Sequence, residues 1–120
     1  MIDMRANEYQ RATRRTVPEK VAADKREMLI NGALGLCGES GEVADLIKKH
    51  LYQGHTLNHD KVIEELGDVL WYISMLCGAI DEELEHVMWQ NIEKLKKRYP
   101  DGFSAEKSVN REEYKSEVKE

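Results

Sequence analysis

Three features of the sequence predict an all-α, four-helix-bundle-like fold with a charged C-terminal tail. Apolar residues recur at helical steps of three and four, most plainly at Val62, Leu66, Val69, Ile73, Leu76 and Ile80. The 120 residues contain only two prolines, Pro18 and Pro100, so long stretches run without a helix breaker. The chain is 41% hydrophobic and 34% charged with 7% aromatics, too apolar for a disordered chain and suited to a helical domain. A chain of this length forms one domain with a modest core. We draw that domain at residues 1–103 and the charged tail or arm at 104–120.

The elements follow in order. Residues 3–14 predict a short polar helix, ended by "RTVPEKVAAD", where Pro18 interrupts. The second helix is predicted from Lys25 to Leu51, with Leu29, Ala33, Leu36, Val43 and Ile47 as its apolar seam. "YQGHTLNHD" is a loop in which Gly54 ends one helix and Asn58 or Asp60 caps the next. The third helix is predicted over Lys61–Ile80. A fourth starts near Asp81, with Asp81, Glu82 and Glu83 at its positive end, and closes at "KLKKRYPDG". After Phe103 the charged tail reads equally as a short helix, an arm onto a partner subunit, or loosely ordered chain.

Charge and composition exclude several functions. A net charge of −5 argues against a nucleic-acid duplex as partner, because a phosphate backbone is bound through excess Lys and Arg. The longest uncharged run, Val69 to Ile80, is too short to span a bilayer, and "MIDMRANEYQ" lacks the apolar run of a signal peptide. Cys37 and Cys77, with no CxxC between them, read as buried free thiols of a reducing compartment, so a cytoplasmic location is expected.

The chemistry-bearing residues are carboxylates in matched pairs. Glu39 and Glu42 lie three apart on one helix face, and "EELGD" sets Glu65 and Asp68 in the same relation on the next helix. Facing each other, the pairs form an oxygen-rich site suited to a hard divalent cation, Mg²⁺ or Mn²⁺. Such pairs are also common on solvated acidic faces. The glycines around them, Gly38, Gly41 and Gly67, favour a site, because each costs about 1 kcal/mol in a helix interior and is explained by close approach of a ligand or a second helix. Ordinary packing accounts equally well for Gly32 and Gly35. Asn91, Lys94 and Arg98 share a face of the fourth helix and suit phosphate oxygens or, equally, a helix C-terminus. Tyr72 falls on the face of Asp68 and reads as a site hydroxyl or core edge. Lys49 falls on that of Glu42 and reads as its ion-pair partner, a phosphate ligand or a surface salt bridge. Glu83-x-x-His86 is half of a di-iron ligand set, but no second Glu-x-x-His exists, so a di-iron oxidase is not expected.

"GLCGESGEVADLIKK" followed by "VIEELGDVLWYISMLC" resembles the MazG-like nucleoside triphosphate pyrophosphohydrolases of the all-α NTP pyrophosphatase superfamily. Glu39, Glu42, Glu65 and Asp68 match that family's Glu-x-x-Glu and Glu-x-x-Asp signature. "NEYQ", "RT" at Arg15–Thr16 and "NIEKLKKRYPDGF" resemble its small stand-alone members, and the likeness covers about residues 7–103. The resemblance implies Mg²⁺-dependent hydrolysis of a nucleoside triphosphate, a deoxynucleotide being the expected case, to the monophosphate and pyrophosphate. It implies Glu39, Glu42, Glu65 and Asp68 as metal ligands and catalytic residues, with Lys94 and Arg98 on phosphates and Asn91 and Tyr72 on the sugar or phosphate edge. It also implies a homodimer or homotetramer. Two alternatives stand beside it: a non-catalytic helical metal-binding module, and an enzyme of the phosphoribosyl-ATP pyrophosphohydrolase type.

Overall fold

The structure, a computed structural model, describes residues 2–111; tail residues 112–120 lie outside the described part. The elements are α1 (Ala6–Thr13), a 3₁₀ turn (Arg14–Thr16), α2 (Glu19–Ala22), α3 (Lys25–Tyr52), α4 (His59–Ala79), α5 (Leu84–Arg98) and α6 (Ala105–Val109). The fold is all-α, with no strand among the described residues. It divides into two compact units after Leu84.

Within the first unit, α3 and α4 run close to their predicted bounds because strong local signals end them. Asp24 caps α3 by accepting a hydrogen bond from the Arg26 backbone N–H at 2.9 Å. At its far end Gly54 takes a positive φ of 73°, open to glycine without steric cost, and His55 N–H returns to the Lys49 carbonyl. Asn58, rather than Asp60, caps α4, its side chain accepting from Lys61 N–H at 3.1 Å.

The α3–α4 register is fixed by glycine. Met28 lies against Gly78, Gly32 against Leu76, and Gly35 against Tyr72; positions ascend on one helix as they descend on the other, so the pair is antiparallel. A Cβ at Gly35 would stand 2.1 Å from the Tyr72 ring, and one at Gly32 would stand 2.7 Å from Leu76. These two glycines make the tight crossing. Gly38, Gly41 and Gly67 do not, since a Cβ at any of them meets nothing within 4 Å.

The first part of the predicted seam is therefore displaced by one position, while Leu36 and Val43 are half-buried. Met28 and Gly32 are on the contact line, whereas Leu29 and Ala33 are exposed. Periodicity looks for large apolar residues, and here the contact is made by small ones on α3 receiving large ones from α4. Likewise Leu66 and Ile80 of the α4 seam are exposed, and the buried apolar residues at the C-terminal end of that unit are Met75, Cys77, Ala79 and Leu84. Full burial of a side chain the size of Met75 or Leu84 contributes about 1.5–3 kcal/mol. Cys77 is buried as expected, and burial pushes its thiol pKa up; Cys37 is exposed, contrary to expectation, because it lies off the contact line.

α1 is pinned to α4 by buried polar groups. Thr13 donates to the Gln10 carbonyl at 2.7 Å, leaving Ser74 to donate to Thr13 Oγ1 at 2.9 Å. Gln10 Nε2 donates to the Glu82 carbonyl, and Gln10 Oε1 accepts from Leu84 N–H at 2.7 Å. The helix beginning here starts at Leu84, not Asp81: Asp81 takes φ 58° in the connecting turn and pairs with Lys25, while Glu83 accepts from Asn7. Competition from those partners removes the acidic residues from the helix.

The second unit holds α5 and α6. Ser104 caps α6 through Lys107 N–H, so the start of the charged tail is a short helix. The Tyr99 and Phe103 rings lie 5.4 Å apart. A hydrogen bond with Ser108, then the charges of Arg111 and Arg98, lower the Tyr99 phenol pKa. No helix among the described residues is long and apolar enough to cross a membrane.

Candidate metal centre

One helical turn beyond Gly35, the same antiparallel register that seats Tyr72 carries Glu39 toward Glu65 and Asp68. Carboxylate oxygens of these three residues all lie within 4.8 Å of one another. Glu65 is buried, at 7% exposure, although a carboxylate belongs in water. Like charges held this close disfavour full ionisation. The Glu39 carboxyl is pushed up to about 7, first by its hydrogen bond with Glu65, then by desolvation, then by the charges of Asp68, Glu65 and Glu42.

Not every expected residue joins this cluster. Glu42 lies one turn along α3, exposed and outside the three-carboxylate group, near enough for its charge to act on Glu39. Lys49 does not take Glu42 as its ion-pair partner; its ammonium pairs with Asp45 at 2.7 Å, the more direct i,i+4 neighbour. Tyr72 lines one cleft with Glu39 and Asp68. Asn91, Lys94 and Arg98 belong to the second unit, where Asn91 and Lys94 are exposed and Arg98 is half-buried. His86 and Trp89 on α5 are exposed.

The structure also adds residues. Lys61 reaches Glu65 at 3.6 Å while pairing with Glu64 at 3.3 Å; the i,i+4 spacing of Lys61 and Glu65 was a readable signal for it. Tyr9 donates a long 3.4 Å hydrogen bond to the Gly67 carbonyl, and burial together with the charge of Asp68 raises its pKa. Thr16 and Trp71 complete the cleft wall. Their contact joins residues 55 positions apart, which no local pattern announces.

A group of three carboxylates held this close is chemically fitted to a hard divalent ion with oxygen ligands. Among the described residues it is the one cluster of this kind. Comparison with known sequences then places the chain: residues 30–103 match the MazG nucleotide pyrophosphohydrolase domain. The chain belongs to the MazG family. Both carboxylate pairs fall inside the matched segment. A MazG-family chain is expected to act on nucleotides through bound metal, and the cluster suits that chemistry. The chain is also similar to the Gene 37 protein of Mycobacterium phage L5, with 36% identity over 92 residues, covering 73% of this chain and 81% of that protein. No solved structure matches.

Proposed function

We propose that the protein is a Mg²⁺-dependent nucleoside triphosphate pyrophosphohydrolase that cleaves between the α- and β-phosphates, with a deoxynucleotide as the expected substrate. The observation that carries this is the convergence of Glu39, Glu65 and Asp68 from two helices of a MazG domain. Glu39, Glu65 and Asp68 would hold the ion, Mg²⁺ or Mn²⁺. Glu42, whose charge already acts on Glu39, would complete the set. Bound there, such an ion supplies charge neutralisation for the triphosphate and a lowered pKa for water.

The protein's own groups do the rest. One carboxylate of the Glu39–Glu42 pair orients the attacking water and takes its proton. The water oxygen bonds to the α-phosphorus, the bridging oxygen leaves with the β- and γ-phosphates as pyrophosphate, and the nucleoside monophosphate remains. Tyr72 is assigned to the sugar or phosphate edge. Asn91, Lys94 and Arg98 are assigned to the substrate because phosphate oxygens need charge-assisted donors; Arg98→Ala is expected to raise KM about tenfold or more, as the loss of one such bond is worth about 1.5–3 kcal/mol.

Residues 1–103 are taken as the functional domain, in the cytoplasm, where nucleotides and free thiols coexist. A homodimer or homotetramer is supported by how little the chain buries: Leu34, Leu51 and Ile63 are 69%, 63% and 67% exposed, and apolar side chains of that size gain by association.

Incubation with a panel of canonical and deoxynucleoside triphosphates and Mg²⁺ in ¹⁸O-water tests the reading. The expected products are pyrophosphate and a monophosphate that carries the label. Label in orthophosphate or pyrophosphate would place the attack elsewhere. Metal binding without turnover of any nucleotide would leave the non-catalytic module.

A further inference from the structure

The cleft has an aromatic wall beside its carboxylates. Thr16, Trp71 and Tyr72 line it together with Glu39 and Asp68, around a cavity of about 280 Å³. Small-molecule pockets usually run from about 300 to 1,000 Å³, so this space suits one portion of a nucleotide rather than all of it. The question is which portion.

The polar groups of Thr16 and Trp71 are already committed, Thr16 donating its hydroxyl to the Thr13 carbonyl at 2.9 Å. Trp71 donates its indole N–H to Thr16 Oγ1 at 2.7 Å, and indole has no other donor. What Trp71 can still offer a ligand is ring surface. Its angle is fixed, because the Tyr72 ring meets it at 4.9 Å and 84°, an edge-to-face arrangement. Tyr72 in turn lies on the bare backbone of Gly35, where a Cβ would stand 2.1 Å from the ring. Two contacts that involve no carboxylate, Thr16 on Trp71 and Gly35 under Tyr72, thus hold an aromatic corner open beside the acidic cluster. The carboxylates at the other end repel phosphate unless a cation intervenes, so the phosphate chain and the aromatic corner suit different parts of a ligand. The part of a nucleotide with a flat π-face is its base.

We propose that Trp71 is the platform on which the nucleobase stacks, with Thr16 as the positioning residue that locks the indole plane. The proposal rests on the reading of the acidic cluster as a nucleotide site. Because every base has a π-face, stacking of this kind accepts purines and pyrimidines alike while demanding that a base be present.

The test compares deoxynucleoside triphosphates with methyl triphosphate, which has no base. Trp71→Ala is expected to raise KM for the nucleotides about five- to 150-fold, the range of a base–aromatic stack, with kcat and the KM for methyl triphosphate within about twofold of wild type. Trp71→Phe is expected to retain most of the affinity. Thr16→Val is expected to raise nucleotide KM alone, and Thr16→Ser to restore it. Equal changes for both substrates, or no change for either, would overturn the platform.

A binding measurement covers the case in which Trp71→Ala does not fold. In a Trp89→Phe background, α,β-methylene analogues of one purine and one pyrimidine nucleotide, with Mg²⁺, are expected to quench Trp71 emission, and methyl triphosphate is not. Absence of base-dependent quenching removes the proposal even if nucleotides are hydrolysed. Base-dependent quenching without any hydrolysis upholds the platform and removes the pyrophosphohydrolase reading instead.

Discussion

The two stretches of the α3–α4 pair are built on opposite principles. Where Gly32 and Gly35 receive Leu76 and Tyr72, glycine lets the helices approach until large side chains lie on bare backbone. One turn further on, where Glu39 meets Glu65 and Asp68, the glycines on either side face open space and the contact consists of carboxylates. Tight packing at the first stretch fixes a register that forces like charges together at the second. The apolar crossing thus holds the site in place at an electrostatic cost, and that cost pushes the Glu39 carboxyl up to about 7.

The largest effect should come from breaking the acidic stretch. Asp68→Asn, Glu65→Gln or Glu42→Gln is expected to lower kcat/KM for nucleotide more than about a hundredfold, since loss of even an outer-shell partner commonly costs 10- to 100-fold. The melting temperature without metal should hold or rise, because a like charge has been removed. Steady-state kinetics and thermal melts in parallel check both halves.

Acidity sharpens the same comparison. Below about pH 7, Mn²⁺ must displace the proton on Glu39, so its affinity by calorimetry should rise about tenfold per pH unit and level off above. For the metal-free protein the sign is opposite. Glu39 is raised from 4.5 to about 7, so between those values the folded state holds a proton the unfolded chain has released. Stability from this group is full below pH 4.5 and is lost as pH rises through 7. A Glu39→Gln variant should lose both dependences.

At the crossing, Gly35→Ala is expected to destabilise by about 1–3 kcal/mol, the usual cost of overpacking, by pushing the Tyr72 ring off its seat. Gly38→Ala, three residues along the same helix, should do the reverse, gaining up to about 1 kcal/mol of helix propensity in open space. Denaturant titration of the two variants reads the contrast directly. The smallest effect is expected for Lys49→Ala. Its partner Asp45 is itself part-exposed, and such surface pairs contribute about 0.2–1 kcal/mol, with kcat/KM unchanged.

Local signals along the chain set the bounds of α3 and α4 and the spacing of the paired acids. The bounds of α3 and α4 were legible because propensity, capping and periodicity act over a few residues, as at Asn58 and Gly54. The matched spacings of Glu39 with Glu42 and of Glu65 with Asp68 were legible because three residues span about one turn. Which of the equivalent glycines carries the crossing depends on the folded neighbours: Tyr72 or Leu76 stands opposite at two positions and nothing at three. The same holds for the cleft wall. Thr16 and Trp71 meet across 55 residues, and Lys49 turns to Asp45 rather than Glu42. Spacing along a helix gives the face a side chain occupies. Which neighbour wins it is settled by the distances and competing charges that exist only once the chain has folded.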